Sequence, residues 1–234
     1  MRMTFDDLVE RAASLVRPGR RALLGIAGGP GSGKSTLAER LVRRLDARGD
    51  FGVAHVPMDG FHLADAELDR LGRRDRKGAP DTFDAAGYAA LLRRLRADEE
   101  EGLVYAPGFE RVLEQPLAGV VPVPRSARLI VTEGNYLLLR DGAWAQAREQ
   151  LDEVWFCDLE DAERVRRLVA RHEDFGKDHD TAVAWVLGPD QRNAELIAAT
   201  RDRADLIVDT GALGRPRTEE GPASRAREAG DVTR

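Results

Sequence analysis

The chain has one cysteine, Cys157, and three lysines, Lys34, Lys77 and Lys177, among its 234 residues. One cysteine cannot close an internal disulfide, so a stapled secreted framework is excluded. Cys157 lies in the apolar run WFCDL and reads as a buried thiol rather than a nucleophile. No stretch approaches the ~20 apolar residues that span a bilayer. The opening residues, MRMTFDDLVER, carry acids where a signal peptide has an apolar core, so no leader is expected and the cytoplasm is the expected location. A net charge of −5 gives no bulk reason to expect nucleic acid or a membrane as a partner. Internal repeats are also missing. What is present is an ordinary globular mixture, 42% hydrophobic and 33% charged, long enough for one α/β domain with an insertion. Because nearly every basic residue is Arg, a lysine inside a motif is informative.

Hydrophobic periodicity divides the chain. Phe5, Leu8, Val9, Ala12, Leu15 and Val16 recur at helical spacing behind Thr4, a candidate N-cap, and Pro18-Gly19 ends the run. Short apolar runs predict strands over 22–27, 51–57, 129–132, 154–158 and 206–209. Leu37, Leu41, Val42 and Leu45 predict a helix ending near Gly49, and Asp84 is placed to cap another with Tyr88, Leu91, Leu92 and Leu95 on its apolar face. Further helices are predicted over 142–151, 161–172, 179–187 and 190–200, the last two separated by Gly188-Pro189. The charged stretch 59–80 and the Pro- and Gly-bearing stretch 105–124 read as irregular. Alternating strands and helices imply an α/β fold, a mainly parallel five-stranded sheet covered on both faces. One domain is expected over 1–212, with a lid at about 160–180. The helix within 1–18 is expected to pack on its own domain, while a homodimer through it stays open. The polar tail over 213–234 is expected to be disordered.

The most specific motif is GGPGSGKS, which satisfies G-x-x-x-x-G-K-[ST] from Gly28 through Gly29, Pro30, Gly31, Ser32 and Gly33 to Lys34 and Ser35, with Thr36 following. Phosphates are wrapped by backbone N–H groups, and glycines let the chain turn tightly enough to present them. The helix that follows turns its positive end toward the anion. Lys34 is expected to reach the β- and γ-phosphates of ATP, and the Ser35 hydroxyl to ligate Mg²⁺. Composition alone would produce this pattern about twice per thousand chains of this make-up, and here a predicted strand precedes it and a predicted helix follows.

Two acids end predicted strands. Asp59, in VPMDGFH, is placed to accept a proton from an attacking hydroxyl or to help hold Mg²⁺, but taken alone Asp59-Gly60 reads first as a turn pair. Glu133, in LIVTEGNYLLL, stands where a Walker B acid would bind Mg²⁺ through water, or where any solvated strand-end acid could stand. Arg164, Arg166, Arg167, Arg171 and Lys177 cluster on and after one helix; they could neutralise a transferring phosphoryl group, or form an ordinary solvated face. His172 and His179 are too far apart for a recognised zinc pattern, and His55 reads as packed.

In order and separation, GGPGSGKST, MDGFH, RKGAPDTFD, VTEGNYLLL, the Arg-rich segment and NAELIAATRDRADLIV resemble the uridine kinase, phosphoribulokinase and bacterial type pantothenate kinase superfamily of P-loop kinases, over about residues 20–210. The likeness to pantothenate kinase is strongest over Lys77 to Asp84 and near the C-terminus, and a nucleoside/nucleotide kinase-like branch also fits. The resemblance implies the three-layer α/β/α P-loop fold and ATP-dependent phosphorylation of a small hydroxyl-bearing substrate such as pantothenate, a nucleoside or a sugar. It implies Asp59 as catalytic base, Glu133 as metal-side acid, and Arg171 as lid arginine beside Arg167, with Lys177 a weaker match. It implies acceptor contacts at Tyr105 and Asn193, and in the same regions at His62, Arg74, Phe109, Arg111 and Asn135. The segment GFERVLEQ departs from the uridine kinase pattern around the uracil pocket.

Other nucleotide-binding classes fit less well. A GTPase needs N-K-x-D to read guanine, and the chain has no such sequence; Asp69 to Gly72 fits D-x-x-G without a preceding strand. L-S-G-G-Q, the ABC-type signature, is also missing. A nucleotide-binding regulatory protein with little catalysis is the remaining alternative.

Overall fold

The computed structural model describes residues 3–97 and 102–213. The expected disorder over 213–234 falls outside these residues except at Leu213, which packs against the core. Five strands form one sheet: β1 (Ala22–Ala27), β2 (Gly52–His55), β5 (Ala127–Gly134), β6 (Glu153–Asp158) and β7 (Leu206–Asp209), in the order β2-β5-β1-β6-β7. Every pairing within it is parallel. β1 is buried along its whole length, which is why it reads as an unbroken apolar run rather than an alternating one.

Helices cover both faces. On one, α1 (Phe5–Ser14) and α2 (Lys34–Asp46) bury Leu8, Val9, Leu37, Leu41 and Leu45 against the sheet. Thr4 caps α1 through a reciprocal box with Asp7, and the helix packs on its own domain as expected. On the other face, α4 (Ala85–Ala97), α5 (Gly142–Glu149) and α8 (Gln191–Ala198) contribute Tyr88, Leu92, Leu95, Trp144 and Ile197. Asp84 caps α4, its Oδ1 accepting from Gly87 N at 2.8 Å. The short α3 (Asp65–Leu71) lies within the charged stretch expected to be irregular.

Two expectations are corrected. The stretch 105–124 is not irregular: β3 (Val104–Glu110) and β4 (Gln115–Val123) pair antiparallel as a separate hairpin. Nor do Gly188-Pro189 separate two helices. α6 (Asp161–Asp174) is followed by α7 (His179–Trp185), which runs through a π turn at Val186–Asp190 directly into α8, with Pro189 inside the turn. The widened turn accommodates a proline whose missing N–H would break a regular helix.

Candidate active site

The loop between β1 and α2 bends as its glycines permit. Gly31 and Gly33 adopt φ of 81° and 87°, the left-handed region, and Gly33 is the N-cap of α2. Ser32 N closes a turn on Gly29 O at 3.1 Å, and Lys34 Nζ lies 3.5 Å from the same carbonyl.

Register brings the acids to this loop. β5 runs beside β1 with Ile26 opposite Glu133 and Ala27 opposite Gly134, so β5 ends where the loop begins. Glu133 is 3% exposed; its Oε1 accepts from Ser35 Oγ at 3.1 Å, and its Oε2 has no hydrogen-bond partner. Burial, with Asp59 nearby, pushes this carboxyl up to about 7. β2 reaches the same level on the other side of β5, and Asp59 sits in the 3₁₀ turn just beyond it.

Two glycines make this convergence possible. A Cβ on Gly134 would lie 2.6 Å from Met58 Cβ, and one on Gly60 would lie 2.4 Å from Pro107 O of β3. The sequences D-G-F and T-E-G thus mark places where the turn bearing Asp59 is pressed between β5 and the hairpin.

Two cavities flank Lys34. One, of about 370 Å³, is lined by Gly31, Gly33, Ser35, Thr36 and Arg167. The other, of about 180 Å³, is lined by Asp59, His62, Phe109, Asn135, His172 and Asn193 among others. Lys34, Arg111 and Arg171 line both. Neither the Arg111 nor the Arg171 guanidinium has a hydrogen bond or ion pair with a described residue. Burial, then Arg111, holds the Arg171 guanidinium below its ordinary value.

Most of the expected residues therefore meet here: Lys34, Asp59, Arg171, Arg167, His62, Phe109, Arg111, Asn135 and Asn193 line one or both cavities. Tyr105 does not line them; it is 57% exposed on the outer side of the hairpin. Arg74 pairs with Asp65 at 2.8 Å, and Lys177 sits 5.7 Å above the Trp185 ring, so neither joins the site. Arg164 is buried under the loop, bonded to Asp161, to Gln191 and to Pro30 O at 3.4 Å. Arg166 pairs with Glu163.

The sequence reading missed Asp190, which lines the smaller cavity and bonds His172 Nε2 at 2.9 Å. Only the π turn brings the two together, and no periodicity signals it. Glu114, at the hairpin tip with φ 51°, was missed with the hairpin itself.

Among the described residues no group of three or more His, Cys, Asp and Glu is suited to a metal ion. The donors at Ser35 and the unsatisfied Glu133 oxygen nevertheless fit Mg²⁺, which keeps most of its ligands as water and phosphate. No helix among the described residues is long and apolar enough to cross a membrane.

A parallel sheet with a G-x-x-x-x-G-K-S loop after its central strand, one acid at the end of the adjacent strand β5 and another just beyond β2 defines a P-loop kinase fold. The comparisons carry this further. "Uncharacterized protein YggC" of Escherichia coli is 33% identical over 216 residues, 87% of this chain and 84% of that protein. "Putative uridine kinase C227.14" of Schizosaccharomyces pombe is 36% identical over 174 residues, 72% of this chain and 74% of that one. The crystal structure titled "putative fructose transport system kinase" from Silicibacter sp. TM1040 superposes with a TM-score of 0.79 at 38% identity, covering 88% of this chain and 98% of that one. The chain belongs to the P-loop kinase superfamily related to uridine kinase and pantothenate kinase, with YggC among its relatives. The family model for "Methylmalonyl Co-A mutase-associated GTPase MeaB" matches residues 4–60, less than half of the chain, spanning α1, the P-loop and β2.

Proposed function

We propose that this protein is a cytoplasmic, ATP-dependent kinase that transfers the γ-phosphoryl group of MgATP to a hydroxyl of a small acceptor. One observation carries the reading: Lys34, Arg111 and Arg171 line both cavities, while Asp59 faces only the smaller one. Phosphate bound along the glycine loop and a hydroxyl beside Asp59 would meet between those three cations.

Each residue then has a task. The loop N–H groups and Lys34 hold the β- and γ-phosphates, and Arg167 lies along the phosphate cavity. Ser35 and Glu133 are the residues that would hold Mg²⁺, which when bound screens the phosphate charge. Asp59 orients the acceptor hydroxyl and takes its proton. Arg171 and Arg111 face the phosphoryl group in flight, where charge spreads over its outer oxygens. Arg164 positions rather than reacts, because its bonds tie α6 and α8 to the loop backbone.

The test is a coupled turnover assay with Mg²⁺ across nucleosides, pantothenate, sugars and polyols, with ATP and GTP compared as donors. Asp59→Asn is expected to leave ATP binding intact and to cut turnover by on the order of a hundredfold or more. Near-normal turnover in that variant removes Asp59 from the base role. Preference for GTP would favour the GTPase likeness of residues 4–60, and ATP binding with no acceptor-stimulated turnover would favour a regulatory protein.

A further inference from the structure

The smaller cavity has two chemical halves. Its cations, Lys34, Arg111 and Arg171, are all shared with the phosphate cavity. The carboxylates Asp59, Glu114 and Asp190 line the smaller cavity alone, and Asp190 bonds His172.

Two of the neutral groups there present hydrogen-bond acceptors. His62 Nδ1 lies 2.8 Å from Asp59 O, and a carbonyl can only accept, so Nδ1 carries the proton and Nε2 presents a lone pair. Burial holds this ring below the ordinary histidine value, which keeps it neutral. Asn135 Oδ1 is buried and has no partner. An unsatisfied buried acceptor of this kind is costly unless a ligand donates to it. The His62 and Phe109 rings, 4.8 Å between centroids, add a small apolar face.

A ligand that completes such a site must bring hydrogen-bond donors. Hydroxyl groups do so. A carboxylate or a phosphate brings only acceptors and a negative charge, opposite three acids. Size points the same way, since about 180 Å³ is well below the roughly 300–1,000 Å³ of pockets for larger ligands.

We propose that the phosphate acceptor is a small uncharged polyhydroxy compound, a monosaccharide or short polyol, whose hydroxyls donate to Asn135 Oδ1, His62 Nε2 and Asp190, rather than a hydroxy acid, a sugar phosphate or a nucleoside. The inference rests on the phosphotransfer reading above. In the reaction one hydroxyl gives its proton to Asp59 as its oxygen bonds to the γ-phosphorus. The bond from that phosphorus to the β–γ bridging oxygen breaks, and ADP leaves with the electron pair.

The experiment measures phosphoryl transfer from γ-labelled MgATP by the full chain. The acceptors are neutral aldoses, ketoses and polyols, the aldonic acids and sugar phosphates of the same carbon skeletons, and nucleosides. Binding of a non-hydrolysable ATP analogue is measured in parallel. The expected result is a phosphorylated neutral compound with kcat/KM at least about a hundredfold above its acid and phosphate counterparts and above any nucleoside. Asn135→Ala, checked for folding by its melting curve, is expected to raise KM for that compound about tenfold and leave KM for ATP unchanged. Equal or better turnover of an anionic acceptor or a nucleoside overturns the inference. So does a panel in which no neutral polyhydroxy compound is phosphorylated. If the ATP analogue binds and another acceptor is turned over, only this inference falls; if the analogue fails to bind, the phosphotransfer reading falls with it.

Discussion

Replacing Glu133 by glutamine should stabilise the nucleotide-free protein at alkaline pH while removing its activity. Glu133 is buried at the end of β5 with one oxygen unsatisfied, and its carboxyl is pushed up to about 7 from an ordinary value of 4.5. Below pH 4.5 both folded and unfolded chains hold the proton, and the group contributes its full share to stability. Between 4.5 and 7 the unfolded chain releases the proton and the folded one keeps it, so stability falls as pH rises. Above 7 both forms are ionised and the loss is complete. At about 1.4 kcal/mol per pH unit across that interval, the loss reaches roughly 3 kcal/mol, a ceiling that relaxation around the site will lower.

Glutamine keeps the shape and cannot ionise. For a chain of this size about 2–4 °C of Tm accompanies each kcal/mol. The wild-type melting curve should therefore fall relative to Glu133→Gln by at least about 4 °C between pH 4.5 and 8, in scanning calorimetry without nucleotide. All other titrating groups are common to both proteins, so the difference reports this carboxyl together with its interaction with Asp59. Added Mg²⁺ should narrow the gap at pH 8, because a cation at Ser35 and Glu133 favours the ionised form. Two Tm curves that run parallel within about 1 °C over the whole range would refute the reasoning.

Two further substitutions test how the site is held. Arg164→Ala removes the buried guanidinium that joins Asp161, Gln191 and Pro30 O, and should cost about 1–3 kcal/mol in urea unfolding and raise KM for ATP; an unchanged midpoint would mean the clamp is idle. Gly60→Ala places a methyl 2.4 Å from Pro107 O, a backbone atom with little room to move, so it should destabilise by roughly 1–3 kcal/mol and lower turnover with little change in ATP binding; wild-type turnover would show that the hairpin need not press on the Asp59 turn.

How far the sequence reveals this arrangement depends on what holds each part. β1 falls at the predicted residues and β6 within one residue of them, because a strand covered on both faces must be apolar throughout; β7 also falls at its predicted residues, though it is an edge strand with Ile207 and Asp209 exposed. The hairpin escapes the same reading because Pro107, Gly108, Pro116, Gly119 and Pro122 interrupt its pattern. A ribbon of two strands tolerates prolines that a central strand would not, since the outward N–H groups have no ladder to complete. The pair His172–Asp190 escapes for a different reason, being eighteen residues apart and joined only by a π turn around a proline that reads as a helix start.

The same division runs through the site. The groups proposed to handle phosphate and Mg²⁺, Lys34, Ser35 and Glu133, and the proposed base Asp59 stand at or just beyond strand ends or at the start of the helix that follows the β1 loop, where parallel register fixes them, and fixed spacing leaves a motif. Many of the groups that face the acceptor, Phe109, Glu114, His172 and Asp190 among them, come from the hairpin, the end of α6 and the π turn, where local geometry and not periodicity sets direction. A P-loop kinase scaffold can thus keep its phosphate chemistry readable while its choice of acceptor changes through elements that leave no regular trace. For this chain the acceptor is therefore better sought in the donor and acceptor balance around Asn135 and His62 than in any further motif.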